Sequence, residues 1–164
     1  MILASHIIVS GLLGAGTHNY FLAAIVGLFS HYIVDVIPHW DNYLSPEFDS
    51  RAKSEKGYFL KDKFFYKELC KVAIDILIGL SALSLIFFKT SGFSNIAYAA
   101  VGVFFGVLPD PLQLLYLITN WRFLKPNHKL QLYLHTLIYK KKPTFWPGIL
   151  TQVATILLVF LIVK

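Results

Sequence analysis

Apolar residues dominate five blocks of the chain, and short or strongly polar segments separate them. The blocks cover residues 2–16, 20–38, 72–88, 96–118 and 149–163. A helix needs about 20 apolar residues to cross a bilayer core about 30 Å thick, and shorter blocks can still cross where flanking Tyr, Trp and Lys reach the interface. The pattern predicts an all-α, multi-pass transmembrane bundle of four to five helices, with the two terminal blocks as either full or incomplete spans.

The composition supports a membrane protein. Hydrophobic residues make up 56% of the chain and charged residues 15%, whereas about a quarter of the residues in a soluble domain are charged. A single cysteine excludes a disulfide scaffold, and a Gly-rich phosphate loop between a strand and a helix is missing. We therefore predict one integral membrane domain over 1–164, with membrane lipid as partner and no nucleic-acid partner. The oligomeric state is not predicted.

Basic residues predict how the bundle is oriented. Of the 15 Lys and Arg residues, seven lie in 39–71 and six in 119–148. Two apolar blocks separate these segments, so both lie on one side, and the positive-inside rule makes them cytoplasmic loops. The N-terminus is then also cytoplasmic. The stretch 127–139 has Leu residues on one helical face and could lie in the membrane interface, or its bases could simply fix the topology.

Five ionisable side chains stand inside the apolar blocks: His6, His31, Asp35, Asp75 and Asp110. A charged side chain at the centre of a membrane helix costs about 2.5–3.5 kcal/mol on insertion scales, so each one needs a reason. The predicted topology brings all five to the cytoplasmic level of the bundle. A shared polar site there would offset the cost.

The densest group of polar residues lies at the end of the second block. His31 and Asp35 are four residues apart and share a helix face, a spacing that lets both hold one metal ion. Pro38 ends the helix, so that His39 and Asp41 can fold back over the site. Nitrogen and oxygen ligands suit Zn, Mn or Fe, and zinc is the metal we expect. His39 or Asp41 is the predicted general base or outer orienting residue.

A short internal similarity points to Asp110 as a further ligand. Residues 27–35 and 102–110 align at a constant offset with Gly and Asp in register, as in two related helices that each deliver an Asp to one depth. Pro109 and Pro111 bracket Asp110 and interrupt the helix there.

Other polar residues have simpler interpretations. Asp75 either pairs with Lys71 or joins the metal site, while His128 and His135 are predicted to be ordinary residues of a loop helix rather than ligands.

On these motifs the sequence resembles the membrane-bound metal-dependent hydrolases of bacteria and archaea, and more distantly the zinc-dependent phospholipases C. The resemblance implies an α-helical metal site in a prokaryotic cell membrane, with His6, His31, Asp35 and Asp110 at matching positions. The sequence departs from the phospholipase pattern, because three residues rather than five separate Asp35 from His39, and a second helical His-x3-Glu or His-x3-Asp is missing. This departure argues against a trinuclear zinc cluster.

The predicted function is therefore a membrane-embedded hydrolase that uses one or two divalent metals to cleave an ester or phosphoester of a lipid-like substrate at the cytoplasmic interface. The alternative is a non-enzymatic scaffold or transporter-like protein with a buried Asp/His network. The two differ in geometry: metal ligands converge on one point, whereas relay residues follow the membrane normal.

Overall fold

A computed structural model describes residues 3–40, 63–90, 95–137 and 144–164. These residues form helices α1 (Leu3–Thr17), α2 (Tyr20–Val36), α3 (Lys63–Thr90), α4 (Ile96–Val107), α5 (Pro109–Thr119), α6 (Lys125–Leu137) and α7 (Phe145–Val163), with a 3-10 turn at Arg122–Leu124. No strand occurs among the described residues. The predicted all-α class is confirmed.

Among the described residues, three helical stretches are long and apolar enough to cross a membrane: Phe65–Thr90, Ile96–Thr119 and Phe145–Val163. Their outward faces carry exposed large apolar side chains, such as Leu77 on α3 and Leu161 on α7, as expected for surfaces that face lipid. The last helix begins at Phe145, earlier than the predicted block, and so gains the length of a full span. Helices α1 and α2 are apolar but shorter.

Helix α1 is the central element of the bundle. It packs against α2, α3, α4 and α7, and Ile7 and Leu12 on α1 join Leu83 and Phe87 of α3 in one apolar core. Because neighbours cover α1 on nearly every side, its sequence is apolar all round rather than along one stripe. Polar side chains on α1 are therefore held inside the bundle.

Glycines allow α2 and α1 to approach α4 closely. A Cβ added to Gly27 would lie 3.0 Å from the Cα of Gly102, and one added to Gly14 would lie 2.9 Å from the same atom. Small residues at a crossing let two helix backbones come close in a membrane. This crossing sets the separation between α2 and the helix that leads to Asp110.

Parts of both segments that we predicted to be cytoplasmic loops are helical. Helix α3 begins at Lys63, so the end of the predicted loop 39–71 is helical, and Glu68 and Lys71 form an ion pair of 2.9 Å on it. The charges that marked this stretch as a loop instead sit on a helix that extends beyond its apolar part. In the segment 119–148, α6 covers most of the stretch 127–139, for which the sequence predicts a helical face.

The predicted interruption at Asp110 is short. Only Leu108 separates α4 from α5, and its φ of −54° and ψ of −38° are still helical. Pro109 and Pro111 lack the N–H groups that would bond to the preceding turn. The chain thus continues in the same direction while backbone carbonyls of α4 become available to side chains.

Candidate metal centre

Three helices bring the four predicted metal ligands together. His31 and Asp35 lie on one face of α2, His6 comes from α1, and Asp110 stands in the first turn of α5. His6 Nε2 lies 3.2 Å from Asp35 Oδ1, His31 Nε2 lies 3.3 Å from Asp35 Oδ2, and His31 Nε2 lies 3.5 Å from Asp110 Oδ1. The polar residues converge on one point rather than following the length of a helix.

The His31 ring is oriented by the backbone of α4. Its Nδ1 lies 2.8 Å from the carbonyl oxygen of Gly106, and since a carbonyl can only accept, Nδ1 carries the hydrogen. In a neutral imidazole the other nitrogen, Nε2, then has a free lone pair. Nε2 is buried and has no hydrogen-bond partner among the described residues. A backbone carbonyl that fixes the ring in this way is the usual outer support of a metal-bound histidine.

The charge around His31 Nε2 favours a bound cation. Two carboxylates, Asp35 and Asp110, face this lone pair, and the His6 ring stacks on the His31 ring with centroids 4.3 Å apart. Without a cation, the two carboxylates would repel each other and the Nε2 lone pair strongly, because water is excluded from this part of the bundle. Donor atoms of His6, His31 and Asp110 all lie within 4.8 Å of one another. The donor set and its spacing fit a divalent metal with nitrogen and oxygen ligands.

His39 contributes to the site from the segment after α2. The helix ends as Ile37 turns extended before Pro38, and the His39 Nδ1–H donates to the Ile37 carbonyl at 2.6 Å. Burial lowers the pKa of His39 to about 3, so that the ring is neutral at pH 7. Its donor atom belongs to a second group with Asp35 and His135. The other predicted base, Asp41, lies outside the described residues.

His135 is the site residue that sequence reasoning missed. Its Nε2 lies 3.6 Å from Asp35 Oδ2, and its ring centroid lies 5.2 Å from that of His39. Gln131 and His135 lie on one face of α6 that points inward, while Tyr133 on the opposite face is 61% exposed. The sequence carried no signal for this, because α6 lies outside the apolar blocks. His128 on the same helix packs against the ring of Tyr116 instead.

Asp75 stands apart from the metal ligands. Its Oδ2 accepts a hydrogen bond of 3.1 Å from the backbone N–H of Ala4, which is one of the N–H groups at the start of α1 that lack a partner within the helix. Lys71, the pairing partner considered for Asp75, instead forms its ion pair with Glu68. Asp75 thus ties the beginning of α1 to α3.

Side chains outside the donor set brace the site. Tyr32 Oη–H donates to Asn127 Oδ1 at 2.9 Å, and Asn127 Nδ2–H donates to the Pro109 carbonyl at 3.0 Å. This chain links α2, α6 and the residue that precedes Asp110. On the other side, Gln152 of α7 donates to the Trp40 carbonyl at 2.8 Å, which holds the segment that carries His39.

The site is accessible on the side of α5 and α6. The side chain of Asp110 is 39% exposed and that of His135 is 30% exposed, whereas His6, His31 and Asp35 are almost fully buried. A groove of about 640 Å³ lies along the same two helices. It is lined by Tyr116, Asn120, Arg122, Lys125, Pro126 and Lys129.

No family model, curated protein or solved structure matches this chain. The resemblance to membrane-bound metal-dependent hydrolases therefore stays an expectation, and the geometry of the site is the basis for a proposed function.

Proposed function

We propose that this protein is an integral membrane, metal-dependent hydrolase that acts on an ester or phosphoester of a lipid-like substrate. The observation that carries the proposal is the lone pair of His31 Nε2, which is buried against the carboxylates of Asp35 and Asp110. A divalent cation balances this arrangement, and zinc is the metal that we expect. His6, His31, Asp35 and Asp110 would hold it.

A divalent metal at this position would supply an activated water molecule and a positive charge opposite the charge that develops in hydrolysis. The protein's own contribution is to fix the ligands. The Gly106 carbonyl sets the tautomer of His31, and Asn127 supports the backbone next to Asp110. Because Asp110 is partly exposed while the two histidines are buried, the substrate would approach from the side of Asp110.

The surroundings of the site support an anionic, lipid-like substrate. Three basic residues, Arg122, Lys125 and Lys129, line the groove between α5 and α6. Tyr116 in that groove is six residues after Asp110, or about 9 Å along a helix at about 1.5 Å per residue. The groove could thus hold a phosphate or other anionic group several bonds away from the bond that is cleaved, while acyl chains lie against the apolar outer helices.

The proposed orientation places the start of α1 and the site at the cytoplasmic face of a prokaryotic cell membrane. It follows from the positive-inside rule, because Arg122, Lys125 and Lys129 lie in the 3-10 turn and on α6, the helix that carries His135. The lipid-like substrate would therefore come from the cytoplasmic leaflet.

The test is metal content together with hydrolysis by protein purified in detergent. The substrates are a set of short-chain lipid analogues with a phosphomonoester, a phosphodiester or a carboxyl ester bond. We expect bound divalent metal, and hydrolysis of a phosphoester that EDTA abolishes. His31→Ala should lose both the metal and at least a hundredfold in rate, since His31 is a ligand and contacts both carboxylates.

His18→Asn is the matched control. His18 is exposed in the turn after α1, far along the helix from His6, and its φ of 49° is one that Asn also adopts. This variant should keep the metal and the rate. Metal-free protein, or metal content unchanged by His31→Ala, would contradict the proposal and favour a non-enzymatic Asp/His network.

A further inference from the structure

We infer that the site holds two cations, with a second position formed by Asp35, His39 and His135 next to the one described above. Asp35 is shared by both positions. The inference rests on the proposed metal site, but it adds two ligands, His39 and His135, that the sequence had assigned to a catalytic base and to an ordinary helix residue.

The donor atoms fall into two groups around one carboxylate. His6, His31 and Asp110 form the first group, and Asp35, His39 and His135 form the second, each with its donor atoms within 4.8 Å of one another. Asp35 Oδ1 lies 3.2 Å from His6, while Oδ2 lies 3.3 Å from His31 and 3.6 Å from His135. A carboxylate between two such groups is placed to bridge two metals about 3.5–4 Å apart.

Both groups contain a histidine that is prepared as a ligand in the same way. His31 donates its Nδ1–H to the Gly106 carbonyl, and His39 donates its Nδ1–H to the Ile37 carbonyl. In each neutral ring Nδ1 therefore carries the hydrogen, and Nε2 is the unprotonated nitrogen, the one that can bind a metal. His39 is buried and its ring is held by a backbone carbonyl in the same way as that of His31. We therefore assign His39 as a ligand rather than as a base.

The segment that carries His39 is held in place by α7. Thr151 Oγ1–H donates to the Pro38 carbonyl and Gln152 Nε2–H donates to the Trp40 carbonyl. A bond on each side of His39 fixes its backbone. A ligand needs such rigidity. Gln152 is buried, and it also accepts a hydrogen bond of 3.2 Å from Ser5 Oγ–H, so it connects α1 to the segment that carries His39.

The test is the metal-to-protein ratio of detergent-purified protein that is loaded with Mn²⁺ or Zn²⁺ and then freed of excess metal. We expect two ions per chain in the unmodified protein and one in His135→Ala, which removes a partly exposed ligand of the second position only. His128→Ala is the control, since His128 lies on the same helix but packs against Tyr116, and it should keep two ions.

Electron paramagnetic resonance of the Mn²⁺-loaded protein provides a readout that does not depend on activity. Two Mn²⁺ ions about 3.5–4 Å apart should give a spin-coupled spectrum, and His135→Ala should give the six-line spectrum of an isolated ion. His39→Gln, which retains a polar side chain of similar size, should behave like His135→Ala.

The outcomes separate this inference from the proposed function. Two ions and a coupled spectrum without hydrolysis of any substrate would uphold the second position and reject the hydrolase. One ion per chain in both the unmodified protein and His135→Ala would reject the second position alone, and no bound ion would reject both.

Discussion

The close crossing of α2 and α4 offers a test of whether helix packing sets the geometry of the site. Gly27 lies on α2 one turn before His31, and a Cβ at this position would lie 3.0 Å from the Cα and carbonyl carbon of Gly102, and closer still to its oxygen. All three atoms belong to the backbone of α4 and cannot rotate away. Gly27→Ala must therefore push the two helices apart.

The size of the displacement follows from contact distances. Carbon atoms pack at about 3.5–4.0 Å, so the helices must separate by about 0.5–1 Å near Gly27. The His31–Gly106 hydrogen bond of 2.8 Å would lengthen toward the limit at which it is lost. Overpacking costs about 1–3 kcal/mol and the lost hydrogen bond about 0.5–1.5 kcal/mol, so we expect destabilisation by about 2–4 kcal/mol.

The assay is unfolding in detergent together with metal affinity. Gly27→Ala should lower the midpoint of unfolding and weaken metal binding by at least tenfold, because His31 moves away from Asp110. Gly16→Ala is the matched control, since the Cβ there would meet only the side chain of Val163, the last residue of α7, and no backbone atom of another helix. It should change neither quantity by much.

The result that would refute this reasoning is a Gly27→Ala protein with unchanged stability and unchanged metal affinity. It would mean that α2 and α4 do not cross as closely as the structure has them. Loss of stability with full metal affinity would show that the packing is right but that the crossing does not position His31.

Two further predictions concern the polar residues around the site. Asn127→Leu removes the link between Tyr32 and the Pro109 carbonyl, so it should destabilise the protein by about 1–3 kcal/mol and weaken metal binding. Thermal unfolding and calorimetric metal titration measure the two effects. An unchanged metal affinity would contradict the bracing role of Asn127. Asp75→Leu leaves the Ala4 N–H without its acceptor and should cost a similar amount, whereas Asp75→Asn keeps an acceptor and should cost less; a drop in metal content with either variant would contradict the placement of Asp75 outside the site.

Much of the fold was predictable because lipid imposes simple rules on sequence. The apolar blocks gave the helical class and nearly the right bounds for α1 and α2. The apolar blocks did not predict where a helix extends into polar sequence. Helix α3 starts at Lys63 rather than near residue 72, because Glu and Lys residues such as Glu68 and Lys71 have high helix propensity.

The site was predictable where its residues share an element or a membrane depth. His31 and Asp35 followed from helical spacing, and His6 and Asp110 from the cost of placing them in lipid. His135 did not follow, because it lies on a helix outside the apolar blocks, where a histidine costs little and so carries no signal. Only the packing of α6 against α2 brings it to Asp35.

The central claim is that a divalent metal is held by imidazole and carboxylate groups of this bundle, and X-ray absorption at the metal edge of the loaded protein tests it most directly. We predict a nearest shell of nitrogen and oxygen at about 2.0–2.2 Å, with the outer-shell scattering of at least two imidazole rings. A shell without imidazole scattering would contradict the account. A shell that contains sulfur would also contradict it, because Cys70, the single cysteine of the sequence, is exposed and lies outside both groups of ligands.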